Sequence, residues 1–547
     1  MKTKEPGVCG YLRRFCLVSA LTAGLAMVAG GSPGVAQSVD PDAIAGNPEA
    51  VSQLSPFDTT VAYVVQFYPL WFTYYQRLLG NLNTNHLIGP NRVSPIYHYA
   101  VAVNVDTLYA SSFLDLSEEP VVVTIPTAPS FPSANFSILM LDPYGDLLPT
   151  SANIPKTPGS YALIGPGGFT GTLPSGVTPI TLPLNYSFLA FRADKFVPQA
   201  DAFRRALKSQ TLTDYLENQK GGAAKILPEI LFAVPFKTTA DDLIAHQPIA
   251  FLRQLQKAVA ARYTPPFSAY EEALSDRFDS LFGNGNMNRS EFSDGAQAAH
   301  ELILDRYLTF TNWAMPTPTN WIHFVNIGDW GPQVVERSSI TEFLQYANGI
   351  NSAAYYHVFK DANGNPLDGS NPRGYVLTFP AGQLPEAMRF WSVTAYTPEA
   401  IELVDNPADK YAVASYTPGL QPPNMDGPLS IYMARQLPAG VPMANWLPIP
   451  PGAFNIMLRV YGPEGTVKDN TYARPALRNV SSRDVTRRSQ PPGWVSGAAA
   501  VVNCQARRIL PAVLPSGFIS GAARSAGRSG NCCGSCERFR VPARRVS

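Results

Sequence analysis

Two stretches of the chain alternate apolar and polar residues, and a block with helical spacing separates them. In the first stretch, Val101, Val103 and Val105 fall on one face and Ala102, Asn104 and Asp106 on the other, the two-residue period of a strand. Val121 to Ile125 is an apolar, β-branched run closed by Pro126. The pattern predicts strands over 99–105, 107–114, 121–125, 136–141, 161–165 and 186–192, with turns at Asp142-Pro-Tyr-Gly145 and Gly165-Pro-Gly-Gly168. In the second stretch strands are predicted over 354–359, 374–379, 390–396, 411–414, 429–433 and 454–461. There Phe390, Ser392, Thr394 and Tyr396 share a face, and Phe454, Ile456, Leu458 and Val460 oppose Asn455, Met457, Arg459 and Tyr461, as in antiparallel sheets with one buried face.

Between them, Ala200 to Lys208, Leu212 to Gln219, Ile249 to Arg262, Ala269 to Phe282 and Ser293 to Leu308 carry apolar residues at helical spacing. Ahead of the first strands, Asp58 or Thr59 caps a helix over Val61 to Leu79. This helix is crowded with aromatics, and Gln66, Pro69, Gln76 and Arg77 favour a buried, kinked helix over a membrane span.

The two β regions also rhyme. Asn135-Phe-Ser-Ile-Leu-Met-Leu-Asp-Pro143 parallels Arg389-Phe-Trp-Ser-Val-Thr-Ala-Tyr-Thr-Pro398, and Ser187 to Arg192 parallels Phe454 to Arg459, each a strand with an arginine inside it. The fold class expected is α+β: two related antiparallel β-sandwich, jelly-roll-like domains with a helical insert. The expected boundaries are a signal peptide at 1–36, a linker at 37–56, an N-terminal β-rich domain at 57–200, a helical region at 201–350, a C-terminal sandwich at 351–480 and a disordered basic tail at 481–547.

Composition supports a large core: 45% of residues are hydrophobic and only 15% charged, and 51 prolines with 41 glycines suit many short strands. The net charge of +1 hides +3 in residues 1–36 and +9 in residues 481–547, which leaves the body at −11. An acidic body excludes a nucleic-acid binder. The basic start, the apolar run Phe15 to Val28 and Gly34-Val-Ala36 before Gln37 read as an export signal, which places the protein in the periplasm or outside the cell. Arg13-Arg14 hints at the twin-arginine route. The six cysteines fall in the signal and the tail, so the body has neither disulfides nor thiolate-bound metal.

Strong catalytic signatures are missing: there is no Gly-x-Ser-x-Gly elbow and no catalytic cysteine. His300-Glu301 with Asp305 lacks the second imidazole a metal needs, and a capped, solvated helix face accounts for it, so no metal and no cofactor are expected. What remains are polar residues at strand ends. Asp106 and Asp142 are candidates for acid–base work with His98, and Asn104, Tyr109, Tyr144, Arg192, Trp391, Tyr396, Asn406, Tyr411 and Arg459 are candidates for ligand binding. His323 is a further acid–base candidate. Asn104 and Asp106 equally suit a self-satisfied turn. Arg192 and Arg459 equally suit ion pairs, for example to Asp106 or Asp405.

The stretch Asn104-Val-Asp-Thr-Leu-Tyr-Ala-Ser-Ser-Phe-Leu-Asp-Leu-Ser-Glu-Glu-Pro120 resembles the signature of the domain of unknown function 1254. Asp361-Ala-Asn-Gly-Asn-Pro-Leu-Asp-Gly-Ser370, Phe390 to Tyr396 and Asn406-Pro to Lys410-Tyr411 resemble its companion, the domain of unknown function 1214. The resemblance covers about residues 57–200 and 355–478 and implies a family of exported bacterial proteins, without an activity. Two functions stand open: a hydrolase acting on a carbohydrate-like or other small envelope substrate, or a non-catalytic binding protein for a glycan, lipid or peptide. The partners expected are a small-molecule or glycan ligand, with a homo-oligomer open, and no integral membrane segment once the signal is removed.

Overall fold

A computed structural model describes residues 39–79, 84–128, 131–283, 288–309, 319–422 and 427–481. The signal-like segment 1–36 and the tail beyond Ser481 lie outside the described residues.

The fold is mixed α+β, and its two β halves repeat one topology. The first half holds β1 (Ile88–Pro90), β2 (Thr107–Asp115), β3 (Val121–Ile125), β4 (Phe136–Leu141), β5 (Gly159–Ile164), β6 (Val177–Thr181), β7 (Tyr186–Asp194), β8 (Lys208–Thr211) and β9 (Lys225–Leu227). They make two sheets, ordered β4-β7-β2-β1-β9 and β6-β5-β3-β8. The second half holds β10 (Trp321–Ile322), β11 (Ala353–Val358), β12 (Tyr375–Phe379), β13 (Ala387–Tyr396), β14 (Ala412–Ala414), β15 (Leu429–Ala434), β16 (Trp446–Pro448), β17 (Asn455–Pro463) and β18 (Arg478–Asn479). Its sheets are ordered β10-β11-β17-β13-β14 and β16-β15-β12-β18.

Side by side, β4-β7-β2 matches β13-β17-β11, and β6-β5-β3-β8 matches β16-β15-β12-β18. The match extends to direction: β5 runs parallel to β6 as β15 does to β16, and the other matched pairs are antiparallel. The segments that rhyme in the sequence are β4 with β13 and β7 with β17. In each half one apolar cluster draws on both sheets: Leu114, Met140 and Phe191 meet Val123 and Leu163 in the first, and Trp391, Val393 and Leu458 meet Leu377 and Ile431 in the second.

Residues 99–105, expected as a strand, run instead as turns, with Ala102 at φ 48°. Asn104 sets this course. Its Oδ1 accepts from the backbone N–H of Asp106 and Thr107, and from the Thr107 hydroxyl, each at 3.0 Å. Such local bonding competes with a strand ladder. Val101, Val103 and Val105 are still buried, but in the core between the halves, beside Phe390, Tyr396 and Met457.

Most of the helices pack together in a layer of their own. The expected linker is ordered from Val39: α1 (Pro41–Ile44) and α2 (Pro48–Val51) are capped by Asp40 and Asn47. The aromatic helix α3 (Pro56–Leu79) is buried over most of its length, as an all-round apolar helix must be. Next come α4 (Ala200–Ala206) and α5 (Leu212–Glu217), then α6 (Phe236–His246), α7 (Pro248–Val259), α8 (Ala269–Phe282), α9 (Arg289–Thr309) and α10 (Val334–Leu344). α3 packs among α6 to α9 rather than on a sheet. Gly295 allows its close approach to α9, since a Cβ there would meet Thr60 Cβ at 2.8 Å. No helix among the described residues is long and apolar enough to cross a membrane.

The solvated face expected at His300 is corrected. His300 is buried on α9, with Nε2 3.3 Å from Asp241 and 3.8 Å from Glu342, and both carboxylates also receive the Lys237 ammonium. The pattern on α9 alone cannot show this, because Asp241 and Glu342 come from α6 and α10.

Candidate functional site

A cavity of about 70 Å³ lies between the two β halves, under the C-terminal end of α10. It has room for several waters or one small organic molecule. The turn segment contributes Tyr97, Tyr99 and Asn104, β2 contributes Tyr109, and β7 contributes Phe188 and Arg192. From the other side come Tyr346, Tyr355 on β11, and Arg459 and Tyr461 on β17.

Register explains why these side chains meet. Tyr109 pairs with Arg192 across β2 and β7, and Ser137 pairs with Arg192 from β4. In the second half Tyr355 pairs with Arg459, and Ser392 pairs with Arg459 from β13. The same Tyr–Arg–Ser row therefore occurs once in each half, and the tyrosine and arginine of both rows face one cavity. Neighbours on a sheet face point the same way, so each strand rung delivers its pair together.

The ion pairs left open for the two arginines are absent among the described residues: neither Arg192 nor Arg459 meets a carboxylate. Arg192 donates from Nη2 to the Tyr346 carbonyl at 2.7 Å, and its guanidinium lies 5.7 Å from the centre of the Tyr109 ring. Its buried Nε has no partner. Arg459, 1% exposed, donates from Nη1 to the Tyr396 hydroxyl at 2.7 Å and from Nη2 to the Ala102 carbonyl. Tyr109 lies within the field of both arginines: burial pushes its hydroxyl pKa up, and Arg192 and Arg459 pull it back.

The hydrogen-bonding lining is rich in donors. The Tyr109 oxygen already accepts from Asn104 Nδ2 at 2.5 Å, and the Tyr355 oxygen from Asn348 Nδ2 at 2.7 Å and Asn348 N at 3.0 Å. Both phenols keep an O–H to give. Asn104 Oδ1 is filled by its own turn. The lining includes no Asp, Glu, Lys or His. Two guanidiniums and phenol donors without a carboxylate make a place for an anion.

The other candidates lie elsewhere. Asp106 does not line this cavity, because the turn breaks the alternation that would set it beside Asn104. It is fully buried, accepting from Tyr416 Oη at 2.5 Å and Ser392 Oγ at 2.7 Å, and so ties the first half to the second. Asp142 and Tyr144 line a second, smaller cavity of about 30 Å³ with Arg337 and Trp330. Phe188, Gln345, Tyr346 and Ala347 line both cavities and so divide them. Asp142 Oδ1 accepts from the N–H of Tyr144 and Asp146 in its own turn. Burial and the Asp146 charge push its carboxyl up to about 7.

His98 is half-buried, with Nδ1 2.5 Å from Glu402 Oε1, and it lines neither cavity. Trp391 is a core residue of the second half. The Tyr396 hydroxyl bridges Arg459 to the Val103 carbonyl. Asn406 staples its own loop through Val404 and Lys410, and Tyr411 bonds Asp409. His323 is buried, and burial lowers its pKa to about 4 against its bonds to Asn470 and the Tyr355 carbonyl. The contributors that sequence reasoning missed are Tyr97, Tyr346, Tyr355 and Tyr461. Tyr355 carried a usable signal, as it stands in β11 where Tyr109 stands in β2.

Asp241, His300 and Glu342 present ligand atoms within 4.8 Å of one another. The Lys237 ammonium already bridges both carboxylates there, so it fills the place a metal ion would take.

Residues 83–212 match the family described as "Protein of unknown function (DUF1254)", and residues 352–465 match "Protein of unknown function (DUF1214)". Among solved structures the chain is similar to the VPA0106 protein from Vibrio parahaemolyticus, at 18% identity and a TM-score of 0.51, over 78% of this chain and 100% of that one. A putative uncharacterized protein from Burkholderia cenocepacia aligns at 15% identity and a TM-score of 0.36, over 76% of this chain and 87% of that one. The first of these shares the fold. No curated protein matches the sequence.

Proposed function

For a chain that carries the domain of unknown function 1254 followed by the domain of unknown function 1214, we propose the binding of a small organic anion in the cavity between its two β halves. One observation carries the reading: two arginines without ion pairs line a cavity that holds no carboxylate of its own. A desolvated, unpaired guanidinium costs several kcal/mol (on the order of 3–5 when a partner is removed), so an anionic partner is its natural complement. The export signal read in residues 1–36 puts this binding in the periplasm or outside the cell, and the shared cores favour reading each half as a sandwich. The test is calorimetric titration of the purified chain with acetate, butyrate and benzoate, beside uncharged amides of the same shape. Binding of the carboxylates and not of the amides is expected; equal binding, or none, would end the reading.

Acid–base chemistry at Asp142 is a second reading, favoured by its carboxyl sitting near neutrality beside a cavity. Its partner would not be Asp106, which lines neither cavity. Screening ester and glycoside turnover with Asp142→Asn tests it: activity that survives the substitution removes Asp142 from any such role.

A further inference from the structure

We propose that the ligand is a dicarboxylate, with one carboxylate for the arginine of each half. This rests on the anion-binding reading above and narrows it.

The repeat supplies two equivalent half-sites. Each consists of an arginine and the tyrosine paired to it across the sheet, Arg192 with Tyr109 and Arg459 with Tyr355. In each, the tyrosine oxygen is already occupied by an asparagine amide, Asn104 in one and Asn348 in the other. Each phenol keeps an O–H that can donate to a ligand. Each guanidinium also keeps donors in hand: Arg192 commits Nη2 and leaves Nε unpartnered, and Arg459 commits one bond from each Nη. A guanidinium with an adjacent phenol O–H is a complete receptor for one carboxylate.

Charge gives the same count. Both arginines line one cavity of about 70 Å³, and both act on Tyr109. Asp106, whose charge acts on Arg459, is engaged by Ser392 and Tyr416 and lies outside the lining. A monoanion would leave one guanidinium unmatched where water is scarce, whereas a dianion with separated charges matches both. A phosphate monoester carries both charges on one group, so it serves as the competing dianion in the test.

The experiment is calorimetric titration of the full chain with butyrate, with the series from malonate to adipate, and with a phosphate monoester. The best dicarboxylate should bind about 30-fold or more tighter than butyrate, the scale of a second charge-assisted contact. Tyr109→Phe and Tyr355→Phe, which keep shape and remove one donor each, should each weaken the dicarboxylate several-fold. Arg192→Gln should bring it to the level of butyrate while butyrate still binds. Dicarboxylates and butyrate binding within threefold of each other would overturn the inference and leave the anion reading standing. So would a phosphate monoester that binds tighter than every dicarboxylate. If no carboxylate binds at all, the reading beneath fails.

Discussion

Arg192 and Arg459 stand at the same place in two copies of one topology, each on the strand after a parallel crossover pair, each facing a tyrosine on one side and a serine on the other. Neither has an ion-pair partner among the described residues; burial opposes the Arg459 cation, and Tyr396, Tyr461, Tyr355 and Asp106 outweigh it. That relationship is what the proposed anion site rests on.

Arg192 should therefore matter more to binding than to folding. Arg192→Met removes an unpaired cation and one bond to the Tyr346 carbonyl. Folding stability should stay within about 1 kcal/mol of the parent, or rise. Carboxylate binding should fall tenfold or more. Urea unfolding and calorimetry on the same variant separate the two effects, and a large loss of stability would show that Arg192 is structural.

Asp106 should behave in the opposite way. It is buried and accepts from Ser392 and Tyr416 of the other half. Asp106→Asn keeps the shape but gives up two charge-assisted bonds, at a cost of about 2–4 kcal/mol. Ligand affinity should be little changed, because Asp106 does not line the cavity. A variant with parental stability and impaired binding would reverse the assignment.

The buried quartet of Lys237, Asp241, His300 and Glu342, with Tyr68 donating to Glu342 at 2.6 Å, predicts a pH dependence. Burial opposes the charged form of His300, but Asp241 and Glu342 outweigh it and raise its pKa to about 9. The unfolded value is about 6.5. A raised folded pKa stabilises fully below about pH 6.5, and the contribution is lost as the pH rises through about 9. The loss should reach roughly 3 kcal/mol as an upper bound. Urea midpoints from pH 6 to 9.5 should fall for the parent, and the His300→Gln variant should show a flatter profile.

Gly89 ties strand geometry to the site. A Cβ there would meet the Tyr109 carbonyl oxygen at 1.9 Å, so β1 and β2 can lie this close only without one. Gly89→Ala should cost on the order of 1–3 kcal/mol by overpacking and weaken binding by shifting Tyr109. Thermal unfolding with and without ligand measures both, and an unchanged melting temperature would contradict the contact.

The sequence by itself determined the elements and their kinship. Alternation and apolar β-branched runs located β2, β3, β4, β7, β11, β13 and β17, although β7, β11 and β17 are buried on both faces rather than on the one expected, because the halves pack on their second face. The rhyme between 135–143 and 389–398 already paired β4 with β13. Helical spacing located α7, α8 and α9, but not α10, which is buried on every side and so shows no contrast between faces. Only the tertiary structure decided which polar residues meet. Asn104 and Asp106 are two residues apart, yet the turn that Asn104 builds sends one into the cavity and the other across to Ser392. Tyr109 and Arg192 are far apart in the chain and are joined by strand register, and the two rows share a cavity only because the halves pack against each other. Local pattern reports the face a residue shows to its own sheet. It holds no information on what another half of the chain, hundreds of residues away, brings to that face.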